Sequence, residues 1–181
     1  PLLSIEFAPM PKYFRHNIVA MTGYVPGEQP GNDGVIKLNT NENPYGPSPK
    51  VYATLKRALN SSLRLYPEPQ SDTLRTAAAR LYGVKPRNII VGNGSDEILS
   101  MLLRCFVGPG DRVAYPVPTY SLYDTLVEIQ DGSKAAVNYP ANFSLPAELA
   151  EQNAALTFVC NPNAPSGTLA VLPAVEKLAR G

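Results

Sequence analysis

The chain has 181 residues, a formal net charge of +1 and no run of basic residues. That length suffices for one domain with a sizeable core, and that charge argues against nucleic acid or an anionic membrane as partner. No apolar stretch approaches the ~20 residues of a membrane span, and Pro1-Leu-Leu-Ser-Ile-Glu-Phe lacks the form of a signal peptide. A cytoplasmic protein is therefore expected. Cys105 and Cys160 are the only cysteines. They lie far apart in apolar segments and read as reduced core thiols, not as a disulfide. The single histidine, His16, has no cysteine or carboxylate cluster around it in the sequence, so no metal centre is expected.

From Pro1 to about Gly34 no period is visible, and Gly23, Pro26, Gly27, Pro30, Gly31 and Gly34 mark an extended arm. Such an arm packs on another domain or subunit. Val35–Leu38 is a strand candidate that leads into a loop from Asn39 to Pro47. Ser48 is placed as an N-cap with Pro49 at the first helical position, which predicts a helix to about Leu59. A loop carrying Tyr66-Pro-Glu-Pro follows. Ser71 is the expected cap of the next helix, with Leu74, Ala77, Ala78 and Leu81 at apolar helical spacing. Gly83 is its stop.

Strands and helices then alternate. Strands are expected at Asn88–Val91, Arg112–Tyr115, Ala135–Tyr139 and Leu156–Cys160. Helices are expected at Ser95–Phe106, Tyr120–Ile129, Pro146–Gln152 and Leu172–Arg180. The first of these has Ile98, Leu99, Leu102, Leu103 and Phe106 on one face. This alternation predicts a three-layer αβα fold, a mainly parallel sheet with helices on both faces. The sheet reads as unfinished and the chain as a piece of a longer protein. The 19 prolines, roughly twice the usual share, cluster in the connections. There they stiffen loops without breaking helices.

Three of those connections fall at strand ends, where open α/β sheets bind ligands. Gly92-Asn-Gly-Ser-Asp-Glu joins a strand to a helix. Its glycines permit a sharp turn and close approach, and the first free N–H groups of the helix favour an anion such as phosphate. The same residues would also serve as a plain helix cap. The sequence lacks the Gly-Lys-Ser/Thr ending of a P-loop and the third glycine of a dinucleotide fingerprint. Asp96 and Glu97 would have to be held away from a bound dianion. Tyr120 follows Tyr115-Pro-Val-Pro-Thr and could stack on a flat heteroaromatic ring, or lie half-buried on its helix. Asn161-Pro-Asn-Ala-Pro-Ser-Gly is a rigid turn whose asparagines could donate to a ligand oxygen, or merely shape the turn. No lysine stands beside these turns. Lys12, Lys50, Lys56, Lys85, Lys134 and Lys177 read as solvated charges.

With Leu38-Asn-Thr-Asn-Glu-Asn-Pro-Tyr-Gly-Pro, Tyr66-Pro-Glu-Pro and Pro118-Thr-Tyr-Ser-Leu-Tyr, these segments form five motifs in one order. In that order the chain, from about Leu38 to Gly181, resembles the aspartate-aminotransferase fold type (fold type I) of pyridoxal-phosphate enzymes, and within it the histidinol-phosphate aminotransferase branch. The resemblance implies residues 1–45 as an arm and substrate-loop segment and 46–181 as the N-terminal part of the cofactor-binding large domain. It implies that backbone amides of Gly94, Ser95 and Asp96 hold the cofactor phosphate and that Tyr120 stacks on its ring. Tyr66 would reach the cofactor of a neighbouring subunit in a homodimer, and Asn43 and Tyr45 would approach the substrate. The family's second turn asparagine, which donates to the ring's phenolic oxygen, is replaced by Ala164, so that contact is missing or taken over by Asn163, another group or water.

The resemblance also implies that the catalytic lysine, the aspartate facing the ring nitrogen and the arginine for the substrate carboxylate lie beyond Gly181. The implied reaction exchanges an amino group between glutamate and imidazole-acetol phosphate, giving histidinol phosphate, in histidine biosynthesis. Rival readings are an aromatic amino-acid aminotransferase or threonine-phosphate decarboxylase of the same fold. From other classes come a non-catalytic phosphate-binding α/β domain and a purely structural piece.

Overall fold

A computed structural model describes residues 13–24, 27, 31 and 34–180. The arm's Pro1–Lys12, Pro26 and Pro30 lie outside these residues. Helices are α1 (His16–Ala20), α2 (Pro49–Ala58), α3 (Asp72–Tyr82), α4 (Gly94–Phe106), α5 (Leu122–Ile129) and α6 (Leu172–Arg180); strands are β1 (Arg112–Val117), β2 (Ser133–Asn138) and β3 (Leu156–Thr157). Short 3-10 turns span Ser61–Arg64, Pro86–Asn88 and Ala147–Gln152. The chain parts into two compact units, Pro1–Tyr24 with Asn93–Gly181 and, separately, Val25–Gly92. The boundary drawn near residue 45 falls inside the second unit.

In the first unit the three strands are all parallel, in the order β2-β1-β3. β1 pairs with β2 from Arg112 opposite Ser133 to Val117 opposite Asn138. On its other side Val113 and Ala114 face Leu156 and Thr157. β1 is the central strand, and its residues Val113 to Pro116 are buried. Such a near-continuous apolar run is what a parallel strand covered on both faces requires.

Successive side chains point to opposite faces, and two cores result. Val113 and Tyr115 pack with Leu103 and Val107 of α4 and its exit, with Leu122, Tyr123, Leu126 and Val127 of α5, and with Phe158. Ala114 and Ala135 pack on the other side with Leu149, and Leu178 of α6 covers them. Helices thus lie on both faces of a parallel sheet, the layering the alternation predicts. Each fully buried Leu or Val contributes about 1.5–3 kcal/mol.

Several expectations are corrected. β3 ends at Thr157, short of Cys160. Arg112 O accepts from Ala155 N–H and Ala114 O from Phe158 N–H, so alternate residues of β1 face β3. Pro116 is next in that row and has no N–H to continue the ladder. Val35–Leu38 forms no strand and is largely exposed. Asn88–Val91 is not a strand either: Asn88 closes a 3-10 turn, and Ile89 is extended but finds no neighbouring strand among the described residues. The segment of Pro146–Gln152 is a 3-10 turn from Ala147, with Leu149 buried.

The arm carries the short helix α1. Arg15 and Asn17 donate to the carbonyls of Ile129 and Glu128 at the end of α5, where Glu128 O also accepts from Asp131 N–H at 3.0 Å. Cys105 is exposed and Cys160 intermediate, both free. Cys105 stands two residues from Leu103, which puts it about 200° round α4, away from the core. Phe106 is exposed as well, because Val107 turns inward in its place.

In the second unit α2 starts as expected. Ser48 Oγ accepts from Lys50 N–H at 3.3 Å, with Pro49 leading the helix. Ser71 does not cap α3. It lies at φ +51° without a side-chain cap bond. Glu68 takes that role, accepting from Thr73 N–H at 3.0 Å and from Thr73 Oγ1 at 2.7 Å. Gly83 ends the helix at φ +67°. Of the α3 residues only Ala79 is buried, while Leu74 and Leu81 remain exposed, so the expected apolar face is open among the described residues.

Candidate functional site

α4 begins at Gly94, one residue before the expected Ser95, with Asn93 as N-cap. The Asn93 side chain makes no cap bond. The first backbone N–H groups, those of Gly94, Ser95 and Asp96, therefore have neither an intrahelical acceptor nor a side-chain cap. Gly94 lies at φ +79°, and a Cβ built on it meets nothing within 4 Å. This is an open, positively polarised helix terminus of 13 residues, suited to an oxyanion.

Both nearby carboxylates have partners. Glu97 accepts from the Asn93 N–H. Asp96 accepts the hydroxyl of Tyr120, at 3.1 and 3.3 Å to its two oxygens. That hydroxyl is pushed up to about 12, first by partial burial, then by the bond to Asp96 and its charge, and then by Tyr24. Tyr120 thus donates and stays neutral at ordinary pH.

Tyr120 lies ahead of α5, which starts at Leu122, in the loop that leaves β1. Its ring meets Tyr123 edge-on at 5.7 Å. Tyr123 in turn stacks on Phe158 at 4.8 Å and 16°. Such pairs fix ring orientation beyond what simple burial does. Tyr115, buried beneath, donates to Asp124.

The turn after β3 joins the same region. Asn163 is 3% exposed, the only buried polar residue among those described. Its Nδ2 donates to Pro118 O at 3.2 Å and to Ser166 Oγ at 2.9 Å. Its Oδ1 accepts from Thr119 Oγ1 at 3.0 Å. Asn161 closes the outer end of the turn, its side chain bonded both ways to Ala170. Within one unit, the structure thus links the start of α4 to Tyr120 through Asp96, and Asn163 to Pro118 and Thr119, the two residues before Tyr120.

Asn43, Tyr45 and Tyr66 belong to the other unit. Asn43 Oδ1 accepts from Tyr45 N–H at 3.0 Å, an Asx turn that shapes this loop. Tyr45 is exposed, and Tyr66 is 100% exposed. Nothing in the sequence marks Thr119, Ser166 or Tyr24 as partners of this region. Thr119 and Asn163 lie 44 residues apart, and no local pattern joins them.

Residues 33–180 match the family described as aminotransferase class I and II. The chain belongs to that family. Histidinol-phosphate aminotransferase 1 of Trichormus variabilis is 48% identical over 172 residues, covering 94% of this chain and 49% of that protein. Histidinol-phosphate aminotransferase 1 of Pseudomonas fluorescens is 42% identical over 173 residues, 95% of this chain and 49% of that protein. The crystal structure of histidinol-phosphate aminotransferase from Sinorhizobium meliloti in complex with pyridoxal-5'-phosphate matches with a TM-score of 0.70 at 28% identity, over 78% of this chain and 39% of that one. The chain spans about half the length of the curated relatives it matches.

The fold is the fold type I of pyridoxal-phosphate aminotransferases, represented by part of its α/β domain. Asn163 already spends both amide hydrogens inside the protein. Among the described residues no helix is long and apolar enough to cross a membrane, and no cluster of three His, Cys, Asp or Glu residues is suited to a metal.

Proposed function

We propose that the intact protein is a pyridoxal-phosphate-dependent aminotransferase of the cytoplasm. It exchanges an amino group between glutamate and imidazole-acetol phosphate, yielding 2-oxoglutarate and histidinol phosphate. The observation that carries the reading is the uncapped terminus of α4, open above Gly94 and adjoined by Tyr120. The names of the relatives at 42–48% identity supply the substrate.

The residues fit the cofactor. The N–H groups of Gly94, Ser95 and Asp96 would hold its phosphate, and the ring of Tyr120 would lie against its pyridine. Pyridoxal phosphate, when bound, supplies the carbonyl carbon that takes up an amino group and the ring that draws off electrons. Tyr120 keeps its proton and restrains Asp96. Asn43 and Tyr45 shape the loop toward the substrate's phosphate and imidazole end, and Tyr66, wholly exposed, reaches the cofactor of the other subunit in a homodimer.

The test is the absorbance of the intact protein with pyridoxal phosphate, before and after histidinol phosphate. Exchange of the bound aldehyde form for the pyridoxamine form is the expected result. A response to tyrosine or phenylalanine alone would reassign the enzyme to aromatic amino acids. No bound-cofactor band would leave a phosphate-binding domain without catalysis.

A further inference from the structure

We infer that Asn163 is a positioning residue that clamps the turn after β3 to the loop presenting Tyr120. The inference rests on the functional reading above. The side chain is 3% exposed and uses its whole amide: two donors, to Pro118 O and Ser166 Oγ, and one acceptor, from Thr119 Oγ1. Its backbone is engaged as well. Asn163 N–H donates to Thr168 O at 2.9 Å, and Gly167 N–H donates to Asn163 O at 2.7 Å. Ser166 Oγ also accepts from Thr168 N–H at 3.3 Å. The turn is thus closed upon itself and fastened to Pro118 and Thr119 through one buried amide.

The fastened residues immediately precede Tyr120. That tyrosine sits on a connection between β1 and α5, not on either element. A ring that must face a flat cofactor has to be held within about 0.5 Å. The edge contact with Tyr123 and the bond to Asp96 orient the ring itself, and Asn163 fixes the backbone from which it hangs. Only a side-chain amide supplies two donors and an acceptor at this size. Aspartate would face the Pro118 carbonyl with no donor, and alanine would remove all three side-chain bonds at once. Because its donors are spent here, Asn163 does not replace the ring contact missing at Ala164. It acts on the cofactor through Tyr120.

The test uses the intact protein carrying Asn163→Ala, Thr119→Val, Tyr120→Leu and the pairwise combinations. Three quantities are measured: the dissociation constant for pyridoxal phosphate, the induced circular dichroism of the bound cofactor, and the thermal midpoint without cofactor. Asn163→Ala is expected to weaken binding about tenfold, equivalent to ~1.4 kcal/mol, and to reduce the dichroic band. In the Tyr120→Leu background that penalty should shrink to less than about twofold, since coupled residues are not additive. A lower thermal midpoint with unchanged affinity and dichroism would overturn the inference, as would a penalty that persists without Tyr120. If Asn163→Ala fails to fold, Thr119→Val keeps the side-chain shape, removes one bond, and carries the same cycle. A parent protein with no cofactor band would overturn the functional reading and this inference together. A parent that binds cofactor while the variants act additively would overturn the inference alone.

Discussion

Gly94 is the residue at which a left-handed backbone and the open terminus of α4 coincide. At φ +79° an L side chain costs roughly 1–2 kcal/mol, and its Cβ would occupy the open space above the helix terminus. Gly94→Ala should lower the thermal midpoint modestly and weaken pyridoxal-phosphate binding. Unfolding and cofactor titration of the same variant check both effects, and unchanged affinity would remove Gly94 from the site. The tyrosines set a second residue-scale expectation. Tyr120 is raised from 10.0 to about 12, and Tyr115 and Tyr123 are raised too, by burial first. The folded state then holds these protons more tightly than the unfolded chain does. Their stabilisation is complete below pH 10 and is lost as pH rises from about 10 through 12. Stability measured against pH should fall steeply there, and Tyr115→Phe should flatten the fall.

The elements show which local signals were strong enough to stand. Pro49 after Ser48, and Gly83 at the end of α3, act through backbone geometry alone, and both hold. The expected cap at Ser71 does not, because Glu68 reaches across the intervening loop to Thr73. Glu68→Ala should lower the thermal midpoint more than Ser71→Ala, whose side chain accepts nothing at the cap. Equal effects would contradict this assignment. β3 illustrates a cross-strand cause. Its apolar run continues to Cys160, yet Pro116 on the neighbouring strand ends the ladder. Tyr120 falls outside α5 for a related reason: the chain must first leave β1 through Pro118 and Thr119, which Asn163 holds.

For the whole molecule, the first unit carries the parallel sheet, its two cores and the uncapped terminus of α4, while Asn43, Tyr45 and Tyr66 belong to the second. A side chain as exposed as Tyr66 gains nothing from its own unit, and the proposed homodimer gives it a role. Sedimentation of the active protein should show a dimer, and Tyr66→Phe should weaken cofactor retention while leaving the thermal midpoint nearly unchanged. An active monomer, or unaltered retention, would discard this arrangement.

By itself the sequence determined the α/β alternation, the parallel sheet, the start of α2, the stop of α3 and the turns bearing Gly94, Tyr120 and Asn163. These follow from periodicity and from residues with restricted or unusual backbone freedom, which act over a few positions. The tertiary structure alone decided where β3 stops, that Glu68 caps α3, that Cys105 faces outward, and that Asp96 bonds to Tyr120. It also supplied the partners of the Asn163 side chain, Pro118, Thr119 and Ser166. Each of these depends on a hydrogen bond or packing contact that chain folding brings within reach. Thr119 and Asn163 stand 44 residues apart, and no local pattern encodes their meeting.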